Sequence, residues 1–197
     1  MERPVPGVNS KTLLLILVFG CCACTSREKG RYSPAYYNAD SCSLTSDTGI
    51  LQLNGQPLTG ILYRLGNHRD TMQVVGYKSG KENGLQYSFY DNGQLRICGL
   101  FVNGWKQGKF EAWYPDGKKR YVYNFKDDEY DGQIDEWLQD GTHIRQQHYK
   151  KGHEDGLQQL WYEDGSVRAN YEVKGDRIYG LIGTIGCSSK KKSEIKN

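Results

Sequence analysis

The sequence predicts an all-β protein, a meander of stacked β-hairpins, and three observations support this fold class. Glycine recurs at every 24th position from Gly60 to Gly180 without a gap. An Asn-Gly or Asp-Gly pair, a strong hairpin signal, recurs at the same interval. The 197 residues also include 24 Gly and 15 Tyr, a composition that suits short strands joined by tight turns. We therefore expect 24-residue hairpin units that form an elongated repeat sheet.

The first 20 residues have the pattern of an export signal. Arg3 and Lys11 precede an apolar run from Leu13 to Phe19, which is followed by Gly20 and Cys21. The run is far shorter than the roughly 20 apolar residues that a membrane-spanning helix needs. We expect residues 1–20 to be a lipoprotein-type signal peptide and not a transmembrane anchor.

The stretch "LVFGC" resembles a bacterial lipobox, in which a small residue precedes the cysteine that is lipidated. Gly20 and Cys21 match that pattern, and Cys24 after Ala23 is a second candidate with a poorer upstream match. The resemblance implies lipidation at Cys21. Because each buried methylene contributes about 0.8 kcal/mol, more than one acyl chain would anchor the protein stably.

The rest of the chain divides into three parts. Residues 21–46 show no repeat pattern and are predicted to be a tether between lipid and domain. Residues 47–185 are the predicted repeat domain, in which the chain before Gly60 is an N-terminal cap and "GILQLNGQPLTGILYRL" offers two apolar strands around Asn54-Gly55. Residues 186–197 are a basic tail that we expect to be disordered, and they carry a charge of +3, equal to that of the whole chain.

Within the repeat domain, several columns of residues are expected to be structural. They are the glycines Gly84, Gly108, Gly132 and Gly156 and the tryptophans Trp113, Trp137 and Trp161, which continue a column that begins at Phe89. Isolated hairpins are marginal in water, so stacking of the aromatic columns should bury them. The tryptophans are therefore predicted to be core residues.

Strand alternation predicts the faces of the sheet. Phe89 should share a face with residues 85 and 87, and Phe101 should share one with residues 95, 97 and 99. The opposite face of the second strand would carry Arg96, Arg120, Ile144 and Arg168. This pattern predicts one aromatic, stacked face and one mostly polar face, with type I′ turns at the Asn-Gly and Asp-Gly pairs.

The segments "NGQPLTGILY", "GLQYSFYDNGQLR", "GKFEAWYPDGKKR" and "GLQQLWYEDGSVR" resemble bacterial MORN-variant repeats over about residues 51–183. Proteins with such repeats are commonly labelled toxin-antitoxin YwqK family antitoxins. The resemblance implies a non-catalytic scaffold for protein contacts, with an antitoxin-like or immunity-like role. Local departures are Arg69 at a turn glycine and Asp128 and Asp176 at link glycines.

The expected partner is a protein, such as a toxin, and the expected location is the cell envelope, with the lipid in one of its membranes. Exposed arginines and tyrosines often dominate interfaces, and cross-strand pairing is their other common role. The last strand, "LIGTIG", is a candidate edge for homo-oligomer formation. The predicted partner-binding residues are Arg96, Arg120, Arg168, Tyr114 and Tyr162.

An envelope hydrolase acting on glycan or peptide is the alternative, with Glu111 or Glu163 as the acid in an aromatic groove. Asp135 and Glu136 are adjacent on a strand, so they should point to opposite faces and form no carboxylate pair. The sequence predicts no catalytic residue that is singular to one unit, no metal site and no cofactor. The body of the chain is nearly neutral, which argues against nucleic-acid binding.

Overall fold

The computed structural model describes residues 34–66, 70–175 and 177–182. The signal peptide, Cys21, Cys24 and the basic tail lie outside these ranges. The first strands are β1 (Tyr36–Asn38), β2 (Leu44–Asp47), β3 (Ile50–Leu53), β4 (Gln56–Pro57), β5 (Gly60–Leu65), β6 (Thr71–Lys78), β7 (Lys81–Phe89) and β8 (Leu95–Val102). The remaining strands are β9 (Trp105–Trp113), β10 (Lys119–Lys126), β11 (Glu129–Tyr130), β12 (Gly132–Trp137), β13 (His143–Lys150), β14 (His153–Trp161), β15 (Val167–Lys174) and β16 (Arg177–Leu181).

The strands form one long sheet and one small one, which confirms the predicted all-β meander. In the long sheet, strands β5 to β16 follow one another in chain order as antiparallel neighbours, with the short β11 paired only to β10. Strand β1 adds to the β5 edge in parallel, and β2, β3 and β4 form the small sheet. None of the helices in the described ranges is long and apolar enough to cross a bilayer.

The type I′ turns are not at the predicted positions. At the four hairpin pairs, Asn92-Gly93, Asp116-Gly117, Asp140-Gly141 and Asp164-Gly165, only the glycine has a positive φ, for example Gly117 at 84°. The preceding Asp116 instead accepts a hydrogen bond from the Lys118 N–H through its side chain. A type I′ turn needs two positive φ values, and these occur at the links, as in Asn103 (53°) and Gly104 (88°).

Part of the predicted tether is ordered structure. Tyr36–Asn38 forms β1, Ala39–Ser41 forms a single 3-10 turn and Leu44–Asp47 forms β2. The repeat pattern did not indicate these elements, because β1 pairs with β5 and β2 pairs with β3 without repeating the sequence of a unit. The predicted hairpin around Asn54-Gly55 is confirmed as β3 and β4.

The predicted faces are corrected by a register shift that recurs in the hairpins. In the β7–β8 hairpin, Ser88 pairs with Ile97 but Phe89 pairs with Leu95, so Arg96 is an additional residue. A β-bulge of this kind breaks strict alternation. Arg96 therefore lies on the side of Ser88 and Ile97, with its Nε 3.4 Å from Ser88 Oγ.

The two aromatic columns lie on opposite faces, and not on one face as alternation predicted. One face, here called the phenylalanine face, carries Phe101, Phe110 and Phe125 with ring centroids 5.2–5.3 Å apart along the series. The other, here called the tryptophan face, carries Phe89, Trp113, Trp137 and Trp161. The adjacent residues Asp135 and Glu136 lie on different faces. Glu136 contacts Tyr123 on the phenylalanine face. Asp135 contacts His143 on the tryptophan face, where the His143 ring stacks on Trp137.

The long sheet is a single layer over the described residues. The main packing contacts are those between adjacent strands and those of β5 with the 3-10 turn. Phe101, Phe110 and Ile134 are buried on the phenylalanine face, while Phe89 and Val122 are buried on the tryptophan face. The three tryptophans are only half-buried, contrary to the prediction that they belong to the core, because no second layer covers them.

We predict that Gly99→Ala destabilises the fold by about 1–3 kcal/mol through overpacking. A Cβ at Gly99 would lie 2.2 Å from Phe110 Cε1, and the φ of Gly99 is not in the left-handed region. Urea unfolding would measure the loss. The double change Gly99→Ala with Phe110→Leu should recover part of it relative to Phe110→Leu alone, and equal losses in both backgrounds would contradict the explanation.

Candidate binding surface

Tyrosine hydroxyls link the hairpin ends of successive units. The Tyr90 hydroxyl donates to the Trp113 carbonyl at 2.8 Å, and the Tyr114 hydroxyl donates to the Trp137 carbonyl at 2.9 Å. The next unit has Leu138 at this position, which cannot donate. Tyr162 in the last of these units is 46% exposed. The predicted binding residue Tyr114 therefore has a structural hydrogen bond, while Tyr162 remains on the surface.

The three predicted binding arginines are all exposed at the hairpin ends. Arg120 places its guanidinium 5.8 Å from the centroid of the Tyr114 ring, and Arg96 lies beside Ser88. Arg96 and Arg120 are 24 residues apart, in consecutive units. Ile144 stands at the equivalent position of the next unit, and Arg168 follows one unit later. The structure thus brings Arg96, Arg120 and Tyr114 near one another but leaves Arg168 two units further along the sheet.

The phenylalanine face continues into a polar network towards the C-terminal units. Glu136 accepts hydrogen bonds from the Tyr123 hydroxyl at 2.6 Å and from Arg145 at 3.0 Å. Burial, followed by the hydrogen bond to Glu136, raises the pKa of Tyr123 far above its ordinary value. Further along, Glu154 accepts from the Tyr171 hydroxyl at 3.0 Å. These carboxylates are held by several donors, which suits a structural role.

The tryptophan face contains an aromatic stack that the sequence pattern did not predict. The His143 ring lies between Trp137 and Trp161, with both centroid distances at 5.0 Å. Asp135 accepts a hydrogen bond from His143 Nε2 at 3.1 Å, which orients the ring. The prediction that Asp135 and Glu136 diverge is confirmed by their separate partners.

The acids proposed for a hydrolase do not form a pair. Glu111 makes an ion pair with Lys119 at 2.8 Å and its side chain is 12% exposed. Glu163 is an exposed residue at a hairpin end. In the described part of the chain, no group of three or more His, Cys, Asp and Glu side chains is placed to hold a metal ion.

One unit breaks the repeat with an exposed apolar patch on the tryptophan face. We define the apolar patch as Leu85, Leu100, Val102 and Trp105, which are 46%, 36%, 42% and 52% exposed. Leu85 pairs with Leu100 and Val102 pairs with Trp105 across adjacent strands. The four side chains therefore form one continuous surface.

Equivalent positions in the other units are mostly polar. Val102 corresponds to a lysine in each of four other units, namely Lys78, Lys126, Lys150 and Lys174. Trp105 corresponds to charged or polar residues, namely Lys81, Glu129, His153 and Arg177. Comparison of the columns could have found this break from the sequence, but the aromatic and glycine columns alone did not indicate it.

A groove of about 500 Å³ lies beside the patch, between the small sheet and the first links of the long sheet. Thr48 and Leu51 line it from the small sheet, while Tyr77, Glu82 and Trp105 line it from the long sheet. Burial raises the pKa of Glu82 above its ordinary value. The N-terminal cap thus extends the surface around Trp105 into a concave site.

We predict that Tyr114→Phe lowers the free energy of unfolding by about 0.5–1.5 kcal/mol, because the Trp137 carbonyl loses its donor. Tyr162→Phe is the matched control and should have little effect. Conversely, Leu138→Tyr should add a hydrogen bond to the Trp161 carbonyl and stabilise the protein. Chemical denaturation would measure all three variants, and equal effects of the two Tyr→Phe changes would contradict the role of the hydrogen bond from the Tyr114 hydroxyl.

We predict a loss of stability at high pH that depends on Tyr171. Burial, the hydrogen bond to Glu154 and the Glu154 charge raise the pKa of Tyr171 from 10.0 to about 12. The folded state therefore holds the phenolic proton more tightly than the unfolded state. This contribution is complete below pH 10 and is lost as the pH rises towards 12.

Unfolding measured across that pH range should show a shallower decline for Tyr171→Phe than for the unchanged protein. Glu154→Gln should lower the pKa of Tyr171. Ultraviolet titration would detect this shift, with the Tyr171→Phe variant as the reference that lacks the hydroxyl. An identical alkaline decline with and without the Tyr171 hydroxyl would refute the assignment.

Comparison with known proteins identifies the repeat type. The family model described as MORN repeat variant matches residues 82–103 and residues 106–127. These spans start at equivalent residues of β7 and β9 and cover two consecutive hairpins. No curated protein matches the chain. The chain therefore contains two adjacent MORN-variant repeats within a longer series of 24-residue hairpins, an architecture that indicates a repeat-based binding or scaffold role.

Proposed function

We propose that this protein is a non-catalytic scaffold that binds a protein partner at the cell envelope, where a lipid on Cys21 anchors it. The observation that carries the proposal is the apolar patch, because interface hot spots are enriched in tryptophan and are often surrounded by weaker contacts. Exposed apolar surface that is continuous across strands is also typical of interaction sites. The patch needs no reacting group to perform this role.

The form of the sheet supports a binding role. A single-layer sheet offers both faces to a partner, and its side chains occupy fixed positions because the backbone hydrogen bonds and the bulges set the register. Little conformational entropy would therefore be lost in ordering the site on binding. Trp105 lies on the tryptophan face and also lines the groove, so a partner could engage both.

The exposed arginines at the hairpin ends would form a second contact region. Arg96 and Arg120 lie in consecutive units, and the ring of Tyr114 supports the Arg120 guanidinium. This region and the apolar patch share β8, which carries Arg96, Leu100 and Val102. Arg96 lies towards the phenylalanine face and the patch lies on the tryptophan face, so a partner that contacts both would have to extend around the hairpin ends.

We further propose an antitoxin-like or immunity-like role, which rests on the resemblance to MORN-variant proteins with that label. The lipobox-like sequence before Cys21 supports an envelope location in a bacterium. A protein anchored there could bind a toxin that arrives at the envelope. This role requires tight binding of one protein and no catalysis.

We predict that Val102→Lys with Trp105→Glu weakens partner binding by at least about 30-fold, equivalent to the loss of a hot spot of about 2 kcal/mol. The double change reproduces the Lys126–Glu129 pair of the next unit, so the sheet should tolerate it. Tagged protein would be used to capture partners from detergent-solubilised envelopes, followed by a direct affinity measurement with the purified partner.

The matched control is Leu157→Gln with Val167→Lys, which removes two exposed apolar residues from the same face outside the patch. These changes also reproduce residues of other units, Gln133 and Lys119. Arg96, Arg120 and Arg168 changed together to Ala would test the second contact region. Cys21→Ala would test anchoring by membrane fractionation. Equal capture by the patch variant and the unchanged protein would exclude the patch as the site.

A further inference from the structure

The last strand of the long sheet has an exposed edge with apolar side chains on both faces. Strand β16 pairs with β15 along one side, from Lys174 with Arg177 to Asn170 with Leu181. Within the described residues, no strand pairs with its other side. All its residues are exposed, and the large apolar ones are Ile178 (52%), Tyr179 (51%) and Leu181 (46%), with Ile182 (65%) directly after the strand.

Strand β16 is more apolar than the equivalent strands of the preceding units, whereas a terminal unit is expected to be more polar. At the positions of Ile178 and Tyr179, the preceding units mostly have polar or charged pairs, namely Glu82-Asn83, Lys106-Gln107, Tyr130-Asp131 and Glu154-Asp155. Terminal repeats of solenoid proteins ordinarily have polar outer surfaces that keep them soluble. An apolar replacement at the outermost strand indicates a surface that another strand covers.

The other edge of the long sheet is the short strand β1. Strand β1 pairs in parallel with β5 from Tyr36 with Ile61 to Asn38 with Tyr63. Arg64 reaches Asp40 in the following 3-10 turn at 3.5 Å. A contact between the C-terminal edge of one copy and the N-terminal edge of the next would pair β16 with β1, which has only three residues. Contact between two C-terminal edges pairs two strands of five residues, and its two-fold symmetry closes the assembly at two copies.

We propose that two copies of the chain pair their β16 strands in antiparallel orientation around a two-fold axis at Gly180. In this register Ile178 faces Ile182 of the partner subunit, and Tyr179 faces Leu181 of the partner subunit. The first pair lies on the phenylalanine face and the second on the tryptophan face, because paired residues of antiparallel strands share a face. Both faces of the continuous sheet then gain apolar cross-strand pairs.

The structure contains a precedent for regular pairing from this glycine onwards. Gly180 is equivalent to Gly84 and Gly156, whose φ values of 105° and 92° are also positive. Strand β7 pairs regularly with β8 from Gly84 with Phe101 onwards, and β14 pairs with β15 from Gly156 with Val173 onwards. The next strand therefore pairs without a register shift from the glycine onwards, while Glu82 and Glu154 before it pair with the preceding strand. A partner's β16 would occupy the equivalent place beside Gly180 and Leu181, and its pairing with Ile178 and Tyr179 extends the precedent.

Sedimentation equilibrium of the full chain in density-matched detergent tests the proposal. The unchanged protein should sediment as two chains. Ile178→Glu with Tyr179→Asp, which reproduces Glu154 and Asp155, should weaken the dimer by more than about 100-fold while thermal unfolding still shows a folded protein. Tyr36→Asp at the N-terminal edge is the control and should leave the dimer intact.

A monomer at all concentrations would overturn the proposal, including the case in which residues 183–197 cover the edge within one chain. A dimer that survives Ile178→Glu with Tyr179→Asp would also overturn it. Neither result depends on the apolar patch, so this test is independent of the proposed partner.

Charge substitution tests the register. Tyr179→Lys with Leu181→Glu places opposite charges across the interface in both symmetric pairs and should retain the dimer. Tyr179→Lys with Leu181→Lys places like charges there and should dissociate it. Dissociation of the first variant would refute the register centred on Gly180, as would retention of the dimer by the second.

Discussion

Antiparallel hydrogen bonding between successive strands is the interaction on which the rest of this structure depends. The described part of the long sheet has no second layer, so its strands are stabilised mainly by their immediate neighbours. Each 24-residue unit must therefore return the chain to the same register. The links do this with a backbone hydrogen bond to the preceding unit, for example from the Gly104 N–H to the Glu82 carbonyl at 2.8 Å. The Gly152 N–H bonds to the Tyr130 carbonyl in the same way.

Because the register repeats, residues at equivalent positions of successive units form a column across the sheet. Neighbouring members of a column are about 10 Å apart, since each unit contributes two strands. Columns near the middle of the strands are buried, with apolar residues at Phe110 and Ile134 and a glutamine at the equivalent Gln158. Columns near the ends need only be compatible with solvent, so they can vary without loss of the fold. Trp105 and Tyr179 stand in such columns, where other units have mainly polar residues. Their apolar character is therefore better explained by contact with another surface than by the needs of the sheet.

The period and strand order could be predicted from sequence because they depend on local chemistry. Glycine and Asn-Gly or Asp-Gly pairs mark turns through their backbone preferences, and the 24-residue spacing makes each mark reinforce the others. The face of each column was harder to predict. A bulge adds a residue in the hairpins, as Arg96 does opposite Phe89, and strict alternation then assigns later residues to the wrong face. The candidate site was missed for a different reason, since it is marked by a change within a column and not by the column itself.

The sequence by itself determined that this chain forms a repeated hairpin sheet, because turn glycines and alternating apolar residues act over distances of a few residues. Tertiary structure decided which side chains share a surface. It placed the tryptophan and phenylalanine columns on opposite faces, brought Leu85 beside Leu100, and added β1 to the edge of β5. These outcomes depend on cross-strand register and bulges, which join residues distant in sequence and have no local signal that specifies them.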